Sequence, residues 1–113
     1  HMIPVRSVIN CVRKVKGKIN QPVTVANNYD QWARFGEALA KEVDFFSVHI
    51  YPVWEGKTID EGMSFDVANM EVVRMALPDA RLAITEAGWA TVASEFGKRA
   101  SEKAQARYTT FFL

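Results

Sequence analysis

Apolar positions along the chain follow two alternating periods. Val5, Val8, Val12 and Val15 recur at helical spacing, and Gly17 follows as a stop, so the first element predicted is a helix. Asn20-Gln21-Pro22 marks a turn. Val23-Thr24-Val25-Ala26-Asn27 is short and β-branched and predicts a strand. Asp30 is a candidate N-cap for a second helix, whose apolar face is Trp32, Phe35, Leu39 and Val43. The run from Phe45 to Tyr51 predicts a second strand, ended by Pro52. Residues 52–64 read as a long, charged loop. Phe65, Met70, Val73 and Leu77 mark a third helix face, and Pro78-Asp79 breaks it. Arg81-Leu82-Ala83-Ile84-Thr85 predicts a third strand, followed by a loop over 87–100. Ser101 can cap a last helix with Ala104, Tyr108, Phe111 and Phe112 on its apolar face.

The order is α-β-α-β-α-β-α. Strands that alternate with helices imply a parallel α/β sheet, and near-continuous apolar strands fit a sheet covered on both faces. Strand parity puts Glu86 on the face of Leu82 and Ile84, expected to be the side a complete barrel turns inward, with Ala83 and Thr85 facing the helices. The chain has 113 residues, 49% hydrophobic and 24% charged, the size and balance of one globular domain. Its first two residues, His1-Met2, resemble an expression-tag scar, which leaves 3–113 as a single domain. A net charge of +1 gives no electrostatic case for nucleic acid or a membrane surface. A lone cysteine, Cys11, forms no internal disulfide and is expected in the core. No His/Cys/carboxylate spacing suggests a metal, no Gly-x-Gly-x-x-Gly suggests a dinucleotide, and Gly56-Lys57-Thr58 lacks the first glycine of a phosphate loop. No cofactor is therefore expected, no signal peptide is visible, and the compartment stays open.

In parallel α/β folds, sites form at the carboxyl ends of the strands. Here those ends carry Asn27, Asn28 and Tyr29, then His49 and Tyr51 with Trp54 beyond, then Glu86, Gly88 and Trp89. Aromatic faces stack on sugar rings, amides and His read hydroxyls, and a carboxylate attacks or stabilises an anomeric carbon. Each residue also has a plainer reading. A strand-end Glu is often a solvated or ion-paired residue, His49 can be a core histidine, and Trp32 belongs to a helix face. Trp54 and Trp89 stand in loops, where ligand contact competes with packing.

Three stretches together resemble glycoside hydrolase family 17. Val43-Asp44-Phe45-Phe46-Ser47-Val48-His49-Ile50-Tyr51-Pro52-Val53-Trp54-Glu55-Gly56 is similar to the family's sixth strand and loop. Leu82-Ala83-Ile84-Thr85-Glu86-Ala87-Gly88-Trp89 is similar to the seventh strand and nucleophile motif, and Pro22-Val23-Thr24-Val25-Ala26 to the fifth strand. Gln105-Ala106-Arg107-Tyr108 matches the style of the seventh helix. The resemblance implies a (β/α)8 TIM barrel, of which this chain would be a fragment of roughly half, from helix 4 to helix 7, with three parallel strands. It implies retaining hydrolysis or transfer on β-1,3-glucan, with Glu86 as nucleophile. His49 and Tyr51 would line the cleavage subsite, Trp54 and Trp89 would contact sugar rings, and Asn27 is a further substrate-binding candidate.

The family's general acid/base, a Glu after an Asn at the end of the fourth strand, has no counterpart in these residues. Glu55, Glu61 and Glu95 are loop carboxylates and poor substitutes. The chain is therefore expected to be weakly active or inactive alone. The alternatives are a half-barrel assembly module and a residual carbohydrate-binding unit. Open strand edges and an uncovered sheet face further predict a homodimer or larger self-association.

Overall fold

The computed structural model describes residues 3–113, so the two residues read as a tag scar lie outside it. The elements are α1 (Val5–Lys16), β1 (Ala26–Asn28), α2 (Tyr29–Leu39), β2 (Phe46–Ile50), α3 (Ile59–Ala76), β3 (Leu82–Ala87) and α4 (Glu102–Thr110). A 3-10 turn over Ser94–Arg99 precedes α4. The strands form one parallel sheet in the order β1-β2-β3, with helices in the crossovers. The parallel α/β sheet is the one that the alternation of periods predicts, and as a partial TIM-barrel sheet it agrees with what the resemblance implies.

The core lies between the sheet and α1–α3. Trp32, Phe46, Val48, Val73 and Leu77 are buried in it, and Val12 of α1 closes one side. Trp32 and Phe46 meet edge to face at 4.8 Å, and the Trp32 indole N–H donates to the Ser47 carbonyl at 2.8 Å. Phe46 and Val48 thus point toward the helices. Ser47 and His49, between them and beyond, belong to the opposite face, which a closed barrel turns inward.

Several boundaries differ from the sequence expectations, each for a local reason. The β1 ladder starts at Ala26 because Val23 is tied down differently: its N–H donates to the Asp44 carboxylate at 2.7 Å and its carbonyl accepts from the Asp44 N–H. Asp30 does not cap α2. It lies in the first turn, where its charge suits the helix dipole, and Asn28 holds the cap position without a side-chain bond. The expected loop over 52–64 is shorter, because α3 opens at Ile59 on a capping box formed by Thr58 and Glu61. The Glu61 carboxylate accepts from the Thr58 N–H at 2.8 Å, which holds it below the usual carboxylate range. Ser101 does cap α4, accepting from the Ala104 N–H at 3.0 Å. Cys11 is exposed rather than buried: Val12 takes the inward position of that turn.

Candidate active site

The rim at the carboxyl ends of β2 and β3 is built by an irregularity. The ladder pairs Phe46 with Leu82, Ser47 with Ala83 and Val48 with Ile84, then steps to His49 with Glu86. Thr85 is left over, a β-bulge in β3. Before the bulge, Leu82 packs on the helix-side core with Phe46 and Val48. At the bulge, the Thr85 hydroxyl turns to hydrogen-bond that of Ser47, on the inward face. After it, Glu86 sits beside His49. Simple parity is therefore wrong: Leu82 and Glu86 lie on opposite faces, and Thr85 does not face the helices. The extra residue resets the alternation and delivers Glu86 to the inward rim.

There one carboxylate oxygen collects two partners. Glu86 Oε2 accepts from the Tyr51 O–H at 2.8 Å and lies 3.1 Å from His49 Nδ1. The contact with Glu86, together with partial burial, holds the Tyr51 phenol above its ordinary range, since the proton is shared with a carboxylate. Glu86 remains half exposed, while His49 is mostly covered. Tyr51 in turn stacks on Trp54, with centroids 4.5 Å apart and planes 25° apart. Trp54 is 61% exposed and presents a free indole face. Gly88 lies close to this ring: a Cβ on it would stand 3.1 Å from Tyr51 Cε1, so the ring would have to give by a few tenths of an ångström.

Two expected contributors stand elsewhere. Asn27 pairs with Val48, a core residue of the helix-facing layer, and lines a groove of about 740 Å³ with Val8, Trp32 and Phe35. It is Asn28 that pairs with His49 and shares the rim. Trp89 is 3% exposed, and its indole N–H donates to the Arg99 carbonyl at 2.8 Å. It packs with Val53, Ala104 and Tyr108 in a second apolar cluster behind the rim and offers no face to a ligand. The pairing of Asn28 with His49 follows from the inter-strand register, which the sequence does not state, and the burial of Trp89 had no signal in its loop position. Among the described residues, no group of three His, Cys, Asp or Glu side chains could hold a metal ion, and no helix is long and apolar enough to cross a membrane.

The site is thus a half-exposed strand-end carboxylate flanked by a histidine, a tyrosine and an exposed indole, on the rim of a partial (β/α) barrel. Among solved structures, two of a glycoside hydrolase family 17 enzyme are similar to this chain. The β-1,3-glucanosyltransferase of that family from Rhizomucor miehei is 27% identical, superposes with a TM-score of 0.81 and matches 94% of this chain. An active-site mutant of the same enzyme, in complex with laminaritriose, is 26% identical with a TM-score of 0.82. This chain covers 40% of the length of either. No family model and no curated protein matches the sequence. The chain is thus a family 17-like partial barrel.

Proposed function

We propose that the Glu86 rim is the nucleophile side of a retaining centre for β-1,3-linked glucose oligomers. The observation that carries this reading is the convergence of His49 Nδ1 and the Tyr51 O–H on one oxygen of Glu86, beside the exposed face of Trp54. In such chemistry the carboxylate attacks the anomeric carbon, a glycosyl–oxygen bond forms, and the bond to the leaving oxygen breaks as that oxygen takes a proton. The Tyr51 bond holds Glu86 in one rotamer with its second oxygen free. Trp54 supplies a stacking surface for an adjacent sugar ring. Asn28, on the register of His49, is better placed than Asn27 to meet a hydroxyl.

The leaving oxygen needs a general acid, and retaining centres set the two carboxyl groups ~5–5.5 Å apart. Glu61 is committed to its capping box. We therefore propose that these residues, read as a single partial-barrel domain, bind the oligosaccharide and turn it over weakly or not at all. General acid catalysis contributes roughly 10²–10⁴-fold where it is present. The laminaritriose complex of the similar enzyme supports the choice of ligand.

Laminaritriose titration followed by tryptophan fluorescence tests the reading. Trp32 and Trp89 are 1% and 3% exposed, so a saccharide signal must come from Trp54. A saturable change that is absent in Trp54→Ala is expected. A flat titration in the folded wild-type protein overturns the proposal. The open edges of β1 and β3, both largely exposed, favour self-association as the second reading. Light scattering at micromolar concentration decides it: a mass of one chain removes that reading.

A further inference from the structure

Behind the rim, α3 and α4 are joined by a polar contact that the surface chemistry does not explain. Asp66 of α3 is 2% exposed, and its Oδ2 accepts from the buried Tyr108 O–H of α4. Its Oδ1 has no partner. A buried carboxylate with an orphaned oxygen is an expensive way to join two helices, because an apolar pair would serve without desolvation cost. What distinguishes this joint is its neighbours. The Tyr108 ring packs on the Trp89 indole, with centroids 5.4 Å apart. Gln105, one turn earlier on α4, donates to the Trp89 carbonyl at 3.1 Å, and the Ser101 N–H donates to the Ala90 carbonyl. The backbone that follows Glu86 is therefore clamped to α4 at successive points. Next to Trp89, Gly88 lies against the Tyr51 ring, whose O–H holds Glu86.

We infer that Asp66 and Tyr108 are positioning residues for the rim: their hydrogen bond fixes α4 on α3, and through Trp89 and Gly88 it holds Tyr51 against Glu86. The inference rests on the reading of Glu86 as the working carboxylate, but its geometry is tested without sugar. Gly62 offers an independent handle on the same stack. It is buried on α3 one turn before Asp66, and a Cβ there would lie 3.1 Å from Trp89 Cζ3 and 3.5 Å from Tyr108 Cδ2.

The experiment is NMR of protein labelled at tyrosine Cζ, which gives one signal each from Tyr29, Tyr51 and Tyr108. Glu86→Gln identifies the Tyr51 signal and measures its coupling to Glu86 as a shift. In Tyr108→Phe, which keeps the ring and removes the bond, that shift is expected to fall to less than half. In Asp66→Asn, whose amide oxygen still accepts from Tyr108, it is expected to persist. Gly62→Ala, which displaces Trp89 without touching Asp66, Tyr51 or Glu86, is expected to reduce it as well. If Tyr108→Phe does not fold, Asp66→Leu, which removes the acceptor and keeps the Tyr108 ring, takes its place and is expected to lower the shift in the same way. A Tyr51 coupling that is unchanged in the folded Tyr108→Phe and Gly62→Ala proteins overturns the inference and leaves Asp66–Tyr108 a packing contact. A wild-type protein with the expected shifts but no laminaritriose response overturns only the sugar reading.

Discussion

The two apolar clusters of the molecule solve different problems. The larger one, between the sheet and α1–α3, is closed by Val12, Trp32, Leu39, Phe46, Val48, Val73 and Leu77, and its one buried indole N–H is satisfied by a strand carbonyl. The smaller one, behind β3, consists of Val53, Trp89, Ala104 and Tyr108. It carries the Asp66–Tyr108 pair and is laced by hydrogen bonds to loop carbonyls: Trp89 to Arg99, Arg99 to Val53 and Gln105 to Trp89. Area burial is non-directional, so the larger cluster sets stability with little say over the exact placement of its rim. Hydrogen bonds in a dry setting are directional and costly to leave unmade, so the smaller cluster fixes positions. The polar cluster is the one that adjoins Glu86.

The strongest way to break this contrast is to hollow out the larger cluster. Trp32→Ala removes a side chain that is 1% exposed and leaves the Ser47 carbonyl without its donor. Large-to-small changes of this kind cost about 3–5 kcal/mol, against a total stability of about 5–15 kcal/mol for a domain. Urea unfolding is expected to show a collapse of the midpoint, with the protein partly unfolded in buffer. An equal loss from Trp89→Phe would erase the distinction between the clusters.

The second test uses pH. Burial pushes the Asp66 carboxyl up to about 6 from an ordinary value of 3.8, against the opposing pull of the Tyr108 bond. Well below pH 3.8 both folded and unfolded chains hold the proton, and no penalty arises. As pH rises toward 6, the unfolded chain ionises first and the folded state loses stability. Above about pH 6 both states are ionised and the penalty reaches its full size, on the order of a few kcal/mol at most. Glu42, Asp44 and Glu61, held below their usual ranges by hydrogen bonds, act in the opposite direction and lose their contributions at acid pH. The wild type must therefore be compared with Asp66→Asn, which keeps those three groups. The stability of the variant relative to wild type is expected to rise between pH 4 and 6 and then level off. A constant difference across that range would show that Asp66 does not titrate there.

These effects also show what can be read from residues alone. The larger cluster was legible because it rests on period: Trp32 and Leu39 on one helix face, and Phe46 and Val48 in a strand that alternates between faces. His49, Tyr51, Trp54 and Glu86 were legible as strand-end residues, and the structure gathers them at one rim. The face of Glu86 was not, because parity over Leu82, Ile84 and Glu86 assumes an unbroken ladder, and the Thr85 bulge breaks it. Trp89 was misjudged because a loop position says nothing of burial when α4 folds back over the loop. The start of α3 was available in Thr58-Ile59-Asp60-Glu61, a capping-box spacing obscured by the charges and Gly62 around it.

The smallest expected effect separates the clusters at their helix ends. α2, which carries Trp32, has Asn28 at its cap position and no side-chain cap bond; burial alone holds that helix. α4, which carries Tyr108, begins with Ser101, whose hydroxyl accepts from the Ala104 N–H at 3.0 Å. Losing a side-chain cap of that kind costs about 1 kcal/mol. Replacing a residue that makes no cap bond should cost only a few tenths of a kcal/mol, within the range of ordinary surface changes. Ser101→Ala is therefore expected to lower stability by about 1 kcal/mol, and Asn28→Ala by much less, in the same urea series. Ser101 also ties the loop after β3 to α4 through its N–H bond to Ala90, which the substitution leaves intact. The loss should thus appear as fraying of the first turn of α4, seen as faster amide exchange at Ala104 and its neighbours, with protection at Tyr108 kept. If Asn28→Ala proves as costly as Ser101→Ala, α2 depends on its end as much as α4 does, and the division between a helix held by burial and a helix held by directed bonds fails at the level of its elements.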